Sequence, residues 1–222
     1  MTLHFQREVE KLKKMLLNEA AFVEDCLKKA VKALKDRDEV LATEVKNSDN
    51  QIDRMEIELE EEALKILALH QPVAIDLRFL VSVIKINNDL ERIGDLTANL
   101  ASRTKNMTAF SHLTIAADIF RMAEIALQML KDSLDALVKM DAHLAEKVCA
   151  ADEQVDDLHK EMFAWVQAHI TADVYHIDFY LLHLGVSRYL ERIADHATNI
   201  AEDVLYMITG EISRHRSPDD TL

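Results

Sequence analysis

The chain has 222 residues, of which 49% are hydrophobic, and only 3 Gly and 2 Pro interrupt it. This composition favours long helices joined by short connections, and it argues against an all-β fold or a glycine-rich nucleotide-binding fold. The formal net charge of −14 argues against a DNA- or RNA-binding surface, which needs a basic footprint. Such an acidic chain is compatible with metal ions, with basic partner surfaces or with simple solubility.

The cysteines and the apolar segments indicate where the protein works. Cys26 and Cys149 stand in no CxxC pattern, which predicts reduced thiols in a cytoplasmic protein. The first residues contain no apolar signal core, and no run of about 18–20 uncharged apolar residues is present that would span a bilayer. We therefore expect a soluble cytoplasmic protein that associates with membrane complexes only peripherally.

Six predicted helices follow one another along the chain. Their approximate spans are 5–36, 39–69, 72–105, 112–139, 142–169 and 174–210. Pro72 fits the first turn of the third helix, where its missing N–H costs nothing, and Asp141 is a good N-cap for the fifth helix. Long helices with short links pack antiparallel to their neighbours. We predict an all-α fold of two tandem antiparallel three-helix bundles, and the recurring turns argue against a single coiled-coil rod.

An internal duplication relates the two halves of the chain. Residues 90–95 read LERIGD and residues 190–195 read LERIAD, an offset of 100, while residues of the preceding helices recur at an offset of 103. One repeat of this length indicates a duplicated domain rather than a solenoid, which needs at least three short repeats. We place the two units at residues 1–106 and 107–222.

Each copy of the motif sets a Glu and an Asp four residues apart, on one face of a helix. Like charges at this spacing repel each other by roughly 0.2–0.5 kcal/mol. On the second helix, Asp49 and Asp53 lie in the sector of the apolar face, and Asp152 and Asp156 do the same on the fifth. A carboxylate on a core-facing stripe is costly unless it is paired or bound to metal. The simplest use for such concentrated negative charge is a cation.

We therefore predict one acidic metal site in each unit, formed where its two acidic helices meet. The predicted metal ligands are Asp49, Asp53, Glu91 and Asp95 in the first unit and Asp152, Asp156, Glu191 and Asp195 in the second, with Glu56, Asn99, His159, His196 and Asn199 as additional ligands or supporting residues. Carboxylate oxygens suit a hard or borderline cation, with room for more than one ion, whereas imidazole would favour iron, zinc or manganese. The alternative for any single acid is a salt bridge or a solvated face.

Three segments of the chain resemble a known family. Residues 71–78 read QPVAIDLR, residues 88–95 read NDLERIGD, and residues 187–203 read SRYLERIADHATNIAED. With the duplicated acids, these segments resemble the PhoU family of bacterial phosphate-signalling accessory proteins, and the resemblance covers nearly the whole chain. The two units are not identical, because His159 stands where the first unit has Glu56.

The resemblance implies a fold, a cofactor and a set of partners. It implies two tandem three-helix bundles, often as a homodimer, whose motif acids bind metal ions or multinuclear clusters. Iron is favoured, with zinc, manganese or magnesium as alternatives. It further implies negative control of the phosphate-starvation response, with the ATPase of the phosphate ABC transporter and the membrane-bound phosphate-sensing histidine kinase as partners.

Three functional hypotheses follow from these patterns. The leading one is a non-enzymatic regulator, because the chain contains no GxSxG, Walker or HExxH pattern. A di-metal carboxylate enzyme or a metal-storage bundle of the ferritin-like kind would need Glu-x-x-His motifs, and Asp156-x-x-His159 and Asp173-x-x-His176 come closest. A metal-free structural adaptor is the third, and it predicts no bound metal.

Overall fold

The computed structural model describes residues 3–211. Within that range the chain forms six long helices and no β-strand: α1 (Leu3–Asp36), α2 (Glu39–His70), α3 (Ala74–Met107), α4 (Ala117–Lys139), α5 (Ala142–Ala172) and α6 (Ile177–Thr209). Two short 3-10 turns, Thr108–Phe110 and Val174–His176, precede α4 and α6. The predicted all-α fold of two tandem three-helix bundles is confirmed. None of these helices is long and apolar enough to cross a bilayer.

Aspartate caps define the start of the second helix in each unit. The Asp38 carboxylate accepts a hydrogen bond from the Leu41 N–H at 2.9 Å, and the Asp141 carboxylate accepts one from the Leu144 N–H at 3.0 Å. Each bond satisfies one of the N–H groups that a helix leaves unpaired at its N-terminus. The predicted N-cap at Asp141 is therefore confirmed.

The beginning of α3 differs from the prediction. Gln71 ends α2 in the left-handed conformation, and Val73 is extended immediately before Ala74. Pro72 thus lies in the linker, and its predicted position in the first turn of α3 is wrong. The physical reason is that α2 already closes through the Gln71 N–H, which donates to the Leu67 carbonyl at 3.1 Å.

Long-range hydrogen bonds from Arg37 and to His183 hold the segment between the units, and α4 begins later in the chain than predicted. Arg37 donates to the Phe110 carbonyl at 2.8 Å and also to the Leu113 carbonyl. The Ala116 N–H donates to Nε2 of His183 at 3.2 Å. These bonds hold the segment in a non-helical path, so α4 begins at Ala117 and not near residue 112 as predicted.

Helices α3 and α6 form the centre of the molecule. Each packs against both other helices of its own unit, and the two pack against each other. The buried apolar side chains of both units form one continuous core. Leu90, Ile93 and Leu100 of α3 are all fully buried, as the helical spacing predicts.

Polar contacts also cross the α3–α6 interface. Asp89 on α3 lies 2.8 Å from Nδ1 of His196 and accepts a hydrogen bond from Nδ2 of Asn199 at 3.1 Å. Lys85 donates to Asp203 at 3.1 Å. The two units are therefore joined by polar contacts as well as by apolar packing.

An aromatic cluster fills the end of the second unit where α5 meets α6. The Trp165 ring stacks on His169 with 3.8 Å between ring centroids, and it also contacts Tyr180 and His183. Phe179 contacts His183 edge-on at 4.5 Å. The only tryptophan of the chain is partly buried and packs against the core in the second unit.

Candidate metal centre

Three aspartates meet between α2 and α3 in the first unit. Carboxylate oxygens of Asp49, Asp53 and Asp95 all lie within 4.8 Å of one another. The helices approach closely here because residue 94 is a glycine: a Cβ at Gly94 would lie 2.7 Å from Cδ1 of Ile52. The small residue beside the motif thus brings acids from two helices to one place.

Burial and mutual repulsion act on these acids. Burial raises the pKa of Asp49 above its ordinary value, and the charges of Asp95 and Asp53 raise it further. Burial also raises the pKa of Glu91, with Asp95 as the next cause. Arg92 offsets part of this charge, since its Nε lies 3.4 Å from Glu91 and its Nη1 lies 3.7 Å from Asp95. This arginine is half exposed, so its ion pairs are of the weak surface kind.

Glu19 on α1 belongs to the same region and was not among the residues predicted from the sequence. Its side chain is fully buried, and burial raises its pKa to about 8, with Glu56 and Glu91 as the next causes. A sequence signal for it exists, because Glu19 falls on the apolar stripe of Leu12 and Leu16. The pKa of Glu56 is itself raised, mainly by burial and then by Glu60.

The second unit places its acids in a looser arrangement. Burial raises the pKa of Asp152 to about 6, followed by the charges of Asp195 and Asp156. Burial also raises the pKa of Asp195, and the charges of Glu191 and Asp156 raise it further. Among residues 3–211, however, no three possible ligand atoms of this unit lie within 4.8 Å of one another. The duplicated sequence therefore does not produce duplicated geometry.

The additional candidates lie at different places. His159 bonds Oγ of Ser187 through Nδ1 at 3.0 Å, and Asn99 is exposed. His196 and Asn199 both engage Asp89 across the α3–α6 interface. The structure thus places these last two side chains at the junction of the units, where they serve the interface.

The donor set fits a cation. The converging groups are all carboxylates, which are the ligands that hard cations prefer. Oε2 of Glu91 and Oδ1 of Asp152 are also buried and accept no hydrogen bond from any described residue, although Nε of Arg92 lies 3.4 Å from the Glu91 oxygen. Bound cations would add positive charge beside these oxygens. In the first unit the ligands would be Asp49, Asp53 and Asp95, with Glu91 adjacent.

A second group of three possible donors lies at the other end of the first unit. His4 and His70 both approach Glu8, with His70 Nε2 at 2.5 Å from its carboxylate and His4 Nε2 at 3.6 Å. The hydrogen bond with His70 is the main cause that lowers the pKa of Glu8. Lys65 lies 3.8 Å from the same carboxylate. These contacts form a polar network that joins the start of α1 to the end of α2.

Comparison with known proteins agrees with this arrangement of two similar units. The model of the PhoU domain matches the chain twice, at residues 16–104 and 119–204. The chain belongs to the PhoU family. The two matched intervals contain all eight motif acids, so the PhoU repeats coincide with the two acidic regions described above.

Relatives and solved structures match over almost the full chain. The Phosphate-specific transport system accessory protein PhoU homolog of Clostridium acetobutylicum is 35% identical over 208 residues, covering 93% of this chain and 95% of that protein. The homolog of Pseudomonas aeruginosa is 36% identical, covering 95% and 88%. The crystal structure of PhoU from Pseudomonas aeruginosa superposes with a TM-score of 0.90 at 36% identity, covering 93% of this chain and all of that one. That of the phosphate transport system regulatory protein PhoU from Streptococcus pneumoniae gives 0.86 at 29% identity, covering 94% and 98%.

Proposed function

We propose that this chain is a cytoplasmic, non-enzymatic regulator of phosphate uptake that represses the phosphate-starvation response when phosphate is plentiful. The observation that carries the proposal is the match of both repeats to the PhoU domain, together with relatives that are named as phosphate-specific transport system accessory proteins. Its partners would be the phosphate-sensing histidine kinase and the ATPase of the phosphate ABC transporter. It would associate with the membrane only through these partners. We propose that it acts as a homodimer, and light scattering would test this by measuring the mass of the particle in solution.

We propose further that the motif acids hold metal ions, with iron favoured over zinc, manganese and magnesium. A cation supplies positive charge that offsets the repulsion among the carboxylates and links α2 to α3. The acids of the first unit are supported best, because three of their oxygen atoms already lie together. Metal binding would therefore stiffen the helical faces that the regulator presents to its partners.

The regulatory role is tested in cells of the source organism. Deleting the gene is expected to leave a phosphate-scavenging phosphatase strongly expressed in phosphate-rich medium, and the wild-type gene on a plasmid is expected to restore repression. Phosphatase activity per cell is the measurement. Unchanged repression in the deletion strain would contradict the proposal, whatever metal the protein binds.

Metal binding is tested separately by elemental analysis of protein purified without a histidine tag. The Glu91→Ala/Glu191→Ala variant is expected to lose most of its bound metal. A Glu58→Ala/Glu161→Ala variant is the matched control, since it removes two exposed acids of the same type and should keep the wild-type content. Metal-free wild-type protein would favour the structural adaptor instead.

The enzymatic alternative has a direct test of its own. Iron-loaded protein is expected to consume no oxygen catalytically, as an oxygen electrode would record. Neither near-motif supports a di-metal enzyme, because His159 bonds Ser187 and His176 lies 2.6 Å from Asp173. Sustained oxygen consumption that depends on bound iron would support the hypothesis of a ferritin-like di-metal enzyme.

A further inference from the structure

Two imidazoles and a carboxylate converge where the start of α1 meets the end of α2. One possible ligand atom each of His4, Glu8 and His70 lies within 4.8 Å of the other two. Nε2 of His4 is 3.6 Å from Oε1 of Glu8, and Nε2 of His70 is 2.5 Å from Oε2 of the same carboxylate. Both histidines therefore turn the same ring nitrogen towards one acid. The cluster contains none of the motif acids, and the proposed function does not use it.

The helices hold these three donors in place. His4 and Glu8 are four residues apart on α1, which puts their side chains on one face of the helix. His70 is the last residue of α2, and the buried Phe5 packs edge-on against its ring with 5.2 Å between ring centroids. Glu8 is buried and His70 is partly buried, whereas His4 is exposed. Two donors are thus fixed by packing, and the third leaves one side open to solvent.

We propose that His4, Glu8 and His70 form a zinc site that joins α1 to α2 without any of the motif acids. Two histidines and a glutamate are the protein ligands of one class of tetrahedral zinc site, in which water takes the fourth position. Zinc bonds of about 2.0–2.2 Å place the ligand atoms of a tetrahedron about 3.3 Å apart. The distance from His4 to Glu8 is close to this value, and that from His70 to Glu8 would widen by about 0.8 Å.

The chemistry of the donors favours zinc over a harder cation. Imidazole nitrogen suits Zn²⁺, whereas Mg²⁺ and Ca²⁺ prefer oxygen ligands. Without metal, Nε2–H of His70 donates to Glu8, because a carboxylate only accepts. On binding, Zn²⁺ replaces this hydrogen, and the ring stays neutral with its hydrogen on Nδ1. Nε2 of His4 lies beyond hydrogen-bond distance of Oε1, so a cation between them breaks no bond there.

Lys65 is the positive charge that opposes a cation at this place. Its Nζ lies 3.8 Å from Oε1 of Glu8 but only 3.4 Å from Oε1 of Glu62. The lysine is half exposed, so it can keep its contact with Glu62 when Zn²⁺ binds to Glu8. Its charge should nevertheless weaken zinc binding, and removing that charge is therefore a test of the site.

The second unit does not repeat this set of donors. The offset of 103 that relates Leu27 to Leu130 places Met107, Ser111 and Asp173 at the positions of His4, Glu8 and His70. Neither imidazole recurs, and Met107 and Ser111 both lie before the first residue of α4. The inference therefore predicts one zinc ion of this kind per chain, and not one in each repeat.

The test is equilibrium dialysis of the full chain, purified without a histidine tag, against Zn²⁺ at pH 7.5, followed by elemental analysis. At a free Zn²⁺ concentration that just saturates the wild type, His4→Ala and His70→Ala should each hold one fewer Zn²⁺ per chain. Circular dichroism checks that both variants keep their helix content. His143→Ala is the matched control, because His143 is exposed and lies 3.9 Å from Glu146 with no third donor within 4.8 Å in the described part of the chain. It should keep the wild-type content.

Two further variants separate this site from the acidic region. Lys65→Gln should lower the dissociation constant of this Zn²⁺, and Asp95→Asn should leave it in place. If His4→Ala and His70→Ala keep full Zn²⁺ content while Asp95→Asn loses Zn²⁺, the role of the motif acids stands and the zinc site is refuted. If only the histidine variants lose an ion, the zinc site stands without the acidic one. A loss in His143→Ala as large as that in His70→Ala would also refute the site, since any exposed imidazole would then suffice.

Discussion

His183 shows how a single buried side chain connects distant parts of the second unit. Its ring is fully buried, with Nδ1 at 2.9 Å from the Phe179 carbonyl and Nε2 at 3.2 Å from the Ala116 nitrogen. Because a carbonyl only accepts and an N–H only donates, the ring is neutral and carries its proton on Nδ1. Burial lowers the pKa of His183, and the charges of Arg37 and His169 lower it further.

Replacing this imidazole should destabilise the fold. His183→Ala leaves the buried Ala116 N–H without an acceptor, and we expect a loss of about 1–3 kcal/mol in the free energy of unfolding. Urea denaturation followed by circular dichroism at pH 7.5 is the measurement. His143→Ala is the control, because His143 is largely exposed and its removal should change little. Equal effects of the two variants would contradict the structural role of His183.

The stability that His183 contributes should depend on pH. Its pKa in the folded protein lies below the ordinary value of 6.5, so the unfolded chain binds more protons between these two values. The contribution is therefore complete above pH 6.5 and declines as the pH falls through that window. The difference in unfolding free energy between wild type and His183→Ala should be smaller at pH 5.5 than at pH 7.5. A constant difference would show that the pKa of His183 is the same in the folded and the unfolded protein, and it would contradict this prediction.

The sequence was informative about single residues only where the neighbours are local. Asp49 and Asp53 are one turn apart on a helix, and the recurring motif indicated that Asp95 would face them. By contrast, His196 and its partner Asp89 are separated by 107 positions, and no local pattern predicts that contact. The sequence does show Glu19 as an acid on an apolar stripe of α1, but the acids that act on it come from two other helices.

At the scale of elements, the two units solve the same helix contact in different ways. In the first unit Ile52 packs on Gly94, and in the second unit the equivalent positions hold Val155 and Ala194, all of them buried. Isoleucine exceeds valine by one methyl group, and alanine exceeds glycine by one. The methyl group that Val155 lacks relative to Ile52 is thus matched in the second unit by the Cβ of Ala194 on the opposite helix.

This exchange predicts strong coupling between the two positions. Gly94→Ala alone should lower the free energy of unfolding by about 1 kcal/mol, because overpacking outweighs the gain in helix propensity. Ile52→Val alone should cost about 0.5–1.5 kcal/mol. The double variant reproduces the second unit and should lie close to the wild type. Urea denaturation of the wild type, the two single variants and the double variant, all in the presence of chelator, completes this double-mutant cycle. If the effects of the two single substitutions simply add in the double variant, the two positions are not coupled and the prediction is contradicted.

Helix boundaries were predictable where the signal lies within one turn. Asp38 and Asp141 cap their helices through the backbone three residues ahead, and the predicted starts of α2 and α5 agree with the structure. The start of α4 depends instead on the bond from Ala116 to His183, which is 67 positions away. The prediction from helix propensity alone therefore placed the start of α4 too early in the chain.

At the scale of the whole molecule, the α3–α6 interface determines how the units respond to one another. Asp89 is its polar centre, since it is buried and engages both His196 and Asn199. We expect Asp89→Ala to lower the free energy of unfolding by about 1–3 kcal/mol, because two partly buried groups, His196 and Asn199, lose their partner. Asp157→Ala, which removes an exposed ion pair with Lys160, is the control. Equal thermal midpoints for both variants would contradict the importance of the interface.

Metal removal should act on the stability of the whole chain. A ligand present at a hundred times its dissociation constant stabilises the folded state by about 2.7 kcal/mol. For a chain of this size that corresponds to about 5–10 °C in the thermal midpoint. Differential scanning calorimetry with and without chelator measures it. An unchanged midpoint in protein shown by elemental analysis to contain metal would contradict a stabilising role for the cation.

The position of Trp165 has an optical consequence. Because the chain has a single tryptophan, stacked on His169 in the second unit, indole emission originates from one half of the molecule only. A cation that enters among the acids of the first unit has no chromophore of this kind beside it. A change in the emission of Trp165 when that cation binds would therefore require a structural change that passes through α3 and α6. The emission wavelength thus reports whether cation binding in the first unit alters the second unit.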